Sequence, residues 1–525
     1  MAMSPLRTRV LVVGAGVVGA TLALELAHHK IPCMVVERAV RGLRTPTLEV
    51  LGSRSMELLR RLGLADRIRQ REVDPSRPCR VEWTEDLDHP PVYLTRRPPN
   101  RRHAFTADGR TTLEPYAQVS ATALATELRD AMRRDRLIDL REGWTFTGLR
   151  VDGDGAVGSV LAGHSGHRHA VTATYVVGCD GARSTVRSCL DITLDRLGPS
   201  QRYCSVHFRS HDPRLRPRSH AQRTLVIGDM VLLSPTGDGT WIGHLPVAGS
   251  GPATDPVDTL RRRLGIQLDR PEVLGVTEWD AALSVATRYG RGPVYLAGEA
   301  AHPFHPVTDR VDTSIGDAVN LGWKLAAMIN GWGGPALLAS YEMERRSGAL
   351  IDREILARAQ ETLRRYRRLH AAGATSEFLV RLMRQELPQI GDLDLHSGHQ
   401  YGHSAVIWPE PEPLDGVRGS RSATWPGSRA PTVRLLDGSA MFDRFGPEFT
   451  LVDLTPDAAG GRLVDAARSQ GVPMAHLSTE DVAVRSCWDR PLVLVRPDQH
   501  IAWRSATVPD NWPAVLDRVT GHQTT

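Results

Sequence analysis

The run Gly14-Ala15-Gly16-Val17-Val18-Gly19 lies between an apolar, β-rich stretch, Arg9 to Val13, and a segment of helical spacing, Thr21 to His28. Cys33 to Glu37 then reads as a second strand, so the chain opens with a β-α-β unit. Glycines at this spacing let a backbone approach a pyrophosphate at a helix N-terminus, where the helix dipole favours an anion. An acid ending the second strand, here Glu37, can hold ribose hydroxyls. A mere tight turn would account for the glycines but not for the strand, helix and acid around them. The pattern predicts an α/β domain that binds a dinucleotide.

At 525 residues the chain exceeds the usual size of one domain, and its 41% hydrophobic and 24% charged composition is that of a globular protein. The formal charge of +5 comes almost wholly from arginine, Lys30 and Lys324 being the only lysines. The arginines are scattered among acids with no aromatic interleaving, so no nucleic-acid partner is expected. Six cysteines, Cys33, Cys79, Cys179, Cys189, Cys204 and Cys487, form no CxxC pair and no His/Cys ligand spacing. They read as reduced thiols, with no disulfide framework and no metal site. The apolar run before Gly14 is too short for a signal peptide, and no stretch approaches the roughly 18 apolar residues of a membrane span. A soluble, cytoplasmic protein with no membrane partner is expected.

Strand-like segments dominate from about residue 140 to 285, including Ala173 to Val177, Arg223 to Ile227, Val231 to Ser234 and Thr240 to Pro246. Ser120 to Arg134, Ile315 to Ile329 and Leu337 to Tyr366 read as helices, and Val294 to Ala297 as a short buried strand. A Pro- and Gly-rich passage separates these from a strand, helix and strand at Phe449 to Asp453, Leu463 to Gln470 and Leu492 to Arg496.

Two further motifs each follow a strand: Val177-Gly178-Cys179-Asp180-Gly181-Ala182-Arg183-Ser184 and Val294-Tyr295-Leu296-Ala297-Gly298-Glu299-Ala300-Ala301-His302. With the first glycine motif, these resemble the GxGxxG, DG and GDAAH motifs of the group A FAD-dependent hydroxylases, the para-hydroxybenzoate hydroxylase fold. Arg54-Ser55-Met56-Glu57 resembles that family's RSME helix. Leu494 to Asp498 with Ala502-Trp503-Arg504 resembles the thioredoxin-like tail of the phenol hydroxylase branch. Lacking a CxxC, such a tail would be structural or an oligomer contact. The resemblance implies a discontinuous FAD domain at 1–71, 116–189 and 287–380, and a sheet-rich substrate domain at 72–115 and 190–286. A linker at 381–415 and a thioredoxin-like domain at 416–525 would complete the chain.

The same resemblance implies FAD as cofactor. Gly14, Gly16, Val17, Val18 and Gly19 would face its pyrophosphate, and Glu37 with Arg38 the adenosine ribose. Arg54 and Gln118 would lie beside the cofactor, and Asp180 and Gly181 between its phosphates and flavin. Gly298 and Glu299 would stand at the ribityl chain, Glu299 replacing the family's Asp with a longer arm. Pro306, Asp312 and Thr313 would belong to the loop at the flavin's pyrimidine end.

That loop departs from the family pattern. Relatives read P-x-x-G-x-G-x-N, whereas this chain runs from Pro306 to Ile315 without a glycine and has Asp312 at the Asn. The family's backbone N–H groups sit close to the flavin atoms that gain negative charge on reduction. Side chains at the glycine positions should push the backbone away. Asp309 and Asp312 would repel that charge by about 1–4 kcal/mol each at 4 Å and surface-like dielectric, with Arg310 offsetting part of it. Ala121 likewise stands where relatives carry a Gln beside the flavin.

Two enzyme readings of a polyketide or natural-product tailoring protein follow. In one, FAD is mainly a structural wall for a non-redox [4+2] cyclisation, as in the decalin-forming cyclases of spirotetronate and spirotetramate pathways; the altered loop favours it. In the other, an NAD(P)H- and O2-dependent monooxygenase hydroxylates an aromatic or polyketide small molecule. A non-enzymatic FAD-binding partner is the third class. His302 belongs to the family motif, His305 reads as a loop histidine, and Trp83, Trp241 and Trp279 read as lining the substrate pocket or, the favoured reading, as sheet packing. No catalytic residue is assigned, and an oligomer remains open.

Overall fold

The structure is a computed structural model that describes residues 6–40, 48–73, 79–84, 87, 91–97, 112–153, 155–163, 165–215, 222–227, 230–234, 239–247, 255–264, 268, 271–304, 310–386, 399–411 and 423–523. Among the described residues its architecture is α/β, with an eight-stranded sheet built on parallel strands, a seven-stranded sheet and a four-stranded C-terminal sheet.

The central sheet is built on parallel strands. Leu6–Val13 pairs in parallel with Cys33–Glu37 on one side and with Arg168–Gly178 on the other, and Arg168–Gly178 pairs in parallel with Val294–Leu296. Both faces of such a sheet are covered, so its strands read as unbroken apolar runs. Val10, Leu11, Val12, Val176, Val177 and Val294 accordingly have no exposed surface. Trp144–Asp152 and Gly155–Ala162 extend the sheet as an antiparallel hairpin. The helix Val17–His28 runs against the long helix Arg310–Ile329 so closely that a Cβ on Gly322 would lie 2.5 Å from Cγ of Glu25.

A seven-stranded sheet carries Cys79–Thr84, Tyr93–Arg97, Leu194–Arg209, Gln222–Ile227, Met230–Leu233, Thr240–Pro246 and Glu272–Ala286. One face is closed by the helix Pro256–Leu264, whose Leu260 and Leu264 pack with Val206, Phe208, Trp241 and Leu245. At one side of the opposite face, Trp83 and Val226 pack with Tyr366, Leu379 and Met383.

The tail sheet joins Phe449–Asp453, Met474–Ser478, Leu492–Val495 and Ile501–Ser505. It is not an appended bead. Trp323, Trp332 and Leu337 share one apolar cluster with Phe449, Leu451, Trp503 and Trp512. Gly334 at the start of the helix Pro335–Ala371 lies against Gly521, where a Cβ would come within 2.3 Å of the Gly521 carbonyl oxygen.

Candidate functional site

The three glycine motifs meet. Val13 is in register with Gly178, and Gly178 with Leu296, so all three leave the sheet at the carboxyl ends of adjacent parallel strands. That end of an open α/β sheet is where ligands bind. The turns interlock. Gly14, at φ +102°, lies so close to the second motif that a Cβ would come 2.5 Å from the Cys179 carbonyl oxygen, and one on Gly19 would come 1.9 Å from the Gly14 carbonyl oxygen. Gly298, at φ +64°, fits under Val18, where a Cβ would lie 2.6 Å from Cγ2. A Cβ on Gly181 would lie 4.0 Å from Oε2 of Glu299, which brings the second and third motifs side by side.

Gly16 differs from these: a Cβ there would meet no protein atom within 4 Å. It is the exposed N-cap of the helix Val17–His28, which has no side-chain cap and no acid in its first turn. Its leading N–H groups therefore keep donors for an external anion. Val17 and Val18 in that turn are half-buried. Glu37 accepts the Ala15 N–H at Oε2 (2.8 Å) and the Ala39 N–H at Oε1 (2.8 Å), which fixes its carboxylate beside the turn, with Arg38 exposed next to it. The donor set, the open space over Gly16 and the fixed acid fit a dinucleotide such as FAD.

Other expected cofactor residues also make contacts within the protein. Asp180 caps the short helix Thr185–Cys189: Oδ1 accepts from Ser184 Oγ (2.5 Å), and Oδ2 from the N–H groups of Thr185 (2.7 Å) and Val186 (3.1 Å). It shapes the turn that presents Gly181. Arg54 is 1% exposed, and its terminal nitrogens donate to Glu57 (3.1 Å), Gln499 Oε1 (2.6 Å) and the Asp498 carbonyl (2.6 Å). Its guanidinium thus ties the helix Ser53–Arg61 to the tail domain. Gln118 sits on the two-stranded ribbon with Leu48–Leu51 and is buried. Pro306, His305 and Asp309 lie outside the described residues, as does the side chain of Arg310.

Asp312 and Thr313 open the helix Arg310–Ile329, and both are buried. Asp312 Oδ1 accepts the Gly52 N–H at 2.8 Å, and Thr313 Oγ1 donates to Asp352 Oδ2 at 2.7 Å. One turn on, Asp317 accepts from the Gly298 N–H (2.9 Å), pairs with His302 Nε2 (2.7 Å) and takes the Arg345 guanidinium at 2.8 Å. Burial alone would raise the Asp317 carboxyl, but His302 and Arg345 hold it below the usual carboxylate range. The third motif is therefore clamped to this helix by ionic and hydrogen bonds.

That clamp continues into a buried charged network that local sequence patterns do not signal. Glu344 takes both terminal nitrogens of Arg496 (2.8 and 2.9 Å), Lys324 Nζ (2.8 Å) and Ser404 Oγ (2.6 Å). Arg496 also binds Asp498, and Asp498 accepts from Asn320 (3.2 Å) and Trp323 (3.3 Å). Burial lowers the Lys324 ammonium to about 8 against the pull of Glu344. The buried Cys33 thiol is pushed up to about 12, and Cys179 is raised by burial and by Asp180 and Asp317, so neither is a nucleophile near neutral pH.

The three expected tryptophans separate. Trp241 and Trp83 pack in apolar clusters, whereas Trp279 stacks on Tyr203 and donates from Nε1 to Ser205 Oγ at 2.7 Å. An open groove lined in part by Arg7, Arg9, Cys33 and Arg136 lies at the amino ends of the parallel strands, opposite the motifs, and has no part in the site. No helix among the described residues is long and apolar enough to cross a membrane.

Residues 7–350 match the family described as an FAD binding domain, and residues 423–522 match the aromatic-ring hydroxylase C-terminal family. The FAD-dependent monooxygenase opdD of Penicillium oxalicum is 31% identical, the match covering 90% of this chain and 98% of that one. Chromopyrrolic acid-soaked RebC with bound 7-carboxy-K252c superposes with a TM-score of 0.88 at 28% identity, covering 99% of this chain and all of the other (100%). The rebeccamycin biosynthetic enzyme RebC with reduced flavin superposes with a TM-score of 0.85 at 29% identity over the same shares, 99% and 100%.

Proposed function

The chain belongs to the group A FAD-dependent monooxygenase family, and from that premise we propose that it hydroxylates an aromatic or polyketide intermediate of a natural-product pathway with NAD(P)H and O2. The observation that carries this reading is the engagement of Asp312. Its Oδ1 accepts the Gly52 N–H inside a buried helix start, so one carboxylate oxygen is held by the protein backbone. The strongest objection to reduction, a bare carboxylate at the flavin end, is weakened accordingly. RebC, a full-length structural match, has been described with reduced flavin.

FAD when bound supplies the redox chemistry, taking electrons from a nicotinamide and activating dioxygen. The protein's own residues bind and orient. Gly14, Gly16, Val17, Val18 and Gly19 hold the pyrophosphate on the helix N-terminus, and Glu37 with Arg38 flanks the adenosine ribose. Gly181, presented by the Asp180 turn, and Gly298 and Glu299 hold the segment toward the flavin, with Gln118, Asp312 and Thr313 behind it. The seven-stranded sheet forms the far wall, and the tail domain fixes the helix that carries Asp312. Incubation with NADPH, labelled dioxygen and an aromatic polyketide should give a product that carries the label; turnover without label would exclude monooxygenation.

A second reading, the non-redox [4+2] cyclase, rests on the absence of glycine between Pro306 and Ile315. Such an enzyme needs shape and orientation, which can supply several kcal/mol of a barrier, and no electrons.

A further inference from the structure

The two faces of the seven-stranded sheet differ chemically. Pairing Tyr203 with Trp279, Ser205 with His244 and Val231 with His244 puts Tyr203, Ser205, His207, His244 and Trp279 on the face opposite the helix Pro256–Leu264. The helix-side face is hydrocarbon. This one is aromatic and polar, yet Ser205, His207 and His244 are each 5% exposed or less. Four of the five form a closed set: Ser205 Oγ meets His244 Nδ1 at 2.8 Å and accepts from Trp279 Nε1 at 2.7 Å, while Trp279 lies flat on Tyr203 with ring centroids 4.7 Å apart and planes 8° from parallel.

His207 stands outside that set. The residue is 3% exposed, and its Nδ1 has no hydrogen-bond partner among the described residues. A buried polar atom left without a partner is costly, so native proteins keep one chiefly where a ligand or ordered water completes it. A neighbouring planar wall, held rigid by its own hydrogen bonds, suits a flat ring system.

We propose that His207 is a specificity-determining residue that hydrogen-bonds, through Nδ1, a hydroxyl or carbonyl of a planar aromatic substrate lying on this face beside the Tyr203–Trp279 stack. The proposal deepens the hydroxylase reading and rests on its placing of the substrate against this sheet. Burial holds the imidazole below the usual histidine range, so the ring is neutral near pH 7, with one nitrogen donating and the other accepting. A hydroxyl or a carbonyl can be matched by the choice of tautomer, and a hydrocarbon cannot.

The test uses the purified FAD-bound protein with naphthol and naphthalene as probes, followed by perturbation of the flavin absorbance. Wild-type protein should bind naphthol about tenfold more tightly than naphthalene, the ratio one buried hydrogen bond supports. His207→Phe should lose that ratio while keeping its flavin content. His207→Asn, whose amide falls near the Nδ1 position, should restore most of it. If His207→Phe fails to fold, His207→Leu takes its place with the same expected loss, and equal discrimination by wild type and His207→Leu overturns the role of His207. Equal discrimination by wild type and His207→Phe overturns the role of His207 alone. Wild-type protein that binds neither probe, or both alike, overturns the placing of substrate on this face as well; reduction by NADPH would still test the redox reading separately.

Discussion

His302 and Asp317 are joined by a 2.7 Å hydrogen bond between Nε2 and Oδ2, and the same carboxylate oxygen accepts the Gly298 N–H at 2.9 Å. The histidine of the third motif thus acts as a structural partner. It fixes the glycine turn to the helix that begins with the buried pair Asp312 and Thr313.

Replacing Asp317 by Asn should therefore disturb both stability and cofactor. Arg345 has no exposed surface and would keep its charge with one ionic partner fewer. Removing one member of a buried pair costs about 3–5 kcal/mol. Urea unfolding should show a loss of that order, together with a lower flavin-to-protein ratio.

Gly16 and Gly19 should respond in opposite ways. A methyl group on Gly19 would collide with the Gly14 carbonyl, so Gly19→Ala should disrupt the turn itself and lower the melting temperature of the apoprotein. Gly16→Ala meets no protein atom. It should leave apoprotein melting unchanged and weaken FAD binding by about tenfold or more, because the methyl occupies the ligand's space. Calorimetry on apoprotein and FAD titration separate the two effects.

Acid stability should depend on Glu25. Burial favours its neutral form, but Arg61 and His29 overcome this and hold the carboxyl down to about 2 from the ordinary 4.5. A lowered carboxyl stabilises the fold above its unfolded value, and the stabilisation disappears as pH falls from about 4.5 toward about 2. The contribution is about 3 kcal/mol. Glu25→Gln should lose most of it at neutral pH and show a flatter acid limb in urea unfolding across that window. His29, raised by its bonds to Glu25 and to Glu448 of the tail despite burial, contributes in the other direction: its share is full below about 6.5 and lost as pH rises through its folded value.

The tail should unfold together with the FAD domain. Arg496→Met leaves Asp498 and part of the Glu344 carboxylate without their guanidinium in a fully buried network, at a cost of about 3–5 kcal/mol. Protease cleavage within the tail and flavin release should shift to lower urea by the same amount. A tail transition that separates from flavin release would show that the domains are coupled only weakly.

What the sequence made legible follows from distance along the chain. The glycine turns, with an apolar run before each and a helical pattern after the first, announced the strands ending at Val13, Gly178 and Leu296 and their meeting point. Cys33–Glu37, Thr240–Pro246 and Phe449–Asp453 have the bounds read from the sequence. Long-range pairing left no local trace. Glu344 and Arg496 are 152 residues apart, and Arg54 is 445 from Gln499, so neither partner marks the other. The partners of Trp279, Tyr203 and Ser205, likewise come from another strand and leave no trace beside it in the sequence.

Anaerobic titration of the FAD-bound protein with NADPH and NADH, with and without an aromatic polyketide ligand, tests the central claim most directly. The hydroxylase account predicts loss of the oxidised-flavin absorbance, accelerated by the ligand. Flavin that stays oxidised with both nicotinamides and every ligand would contradict it and leave the non-redox cyclase as the reading to pursue.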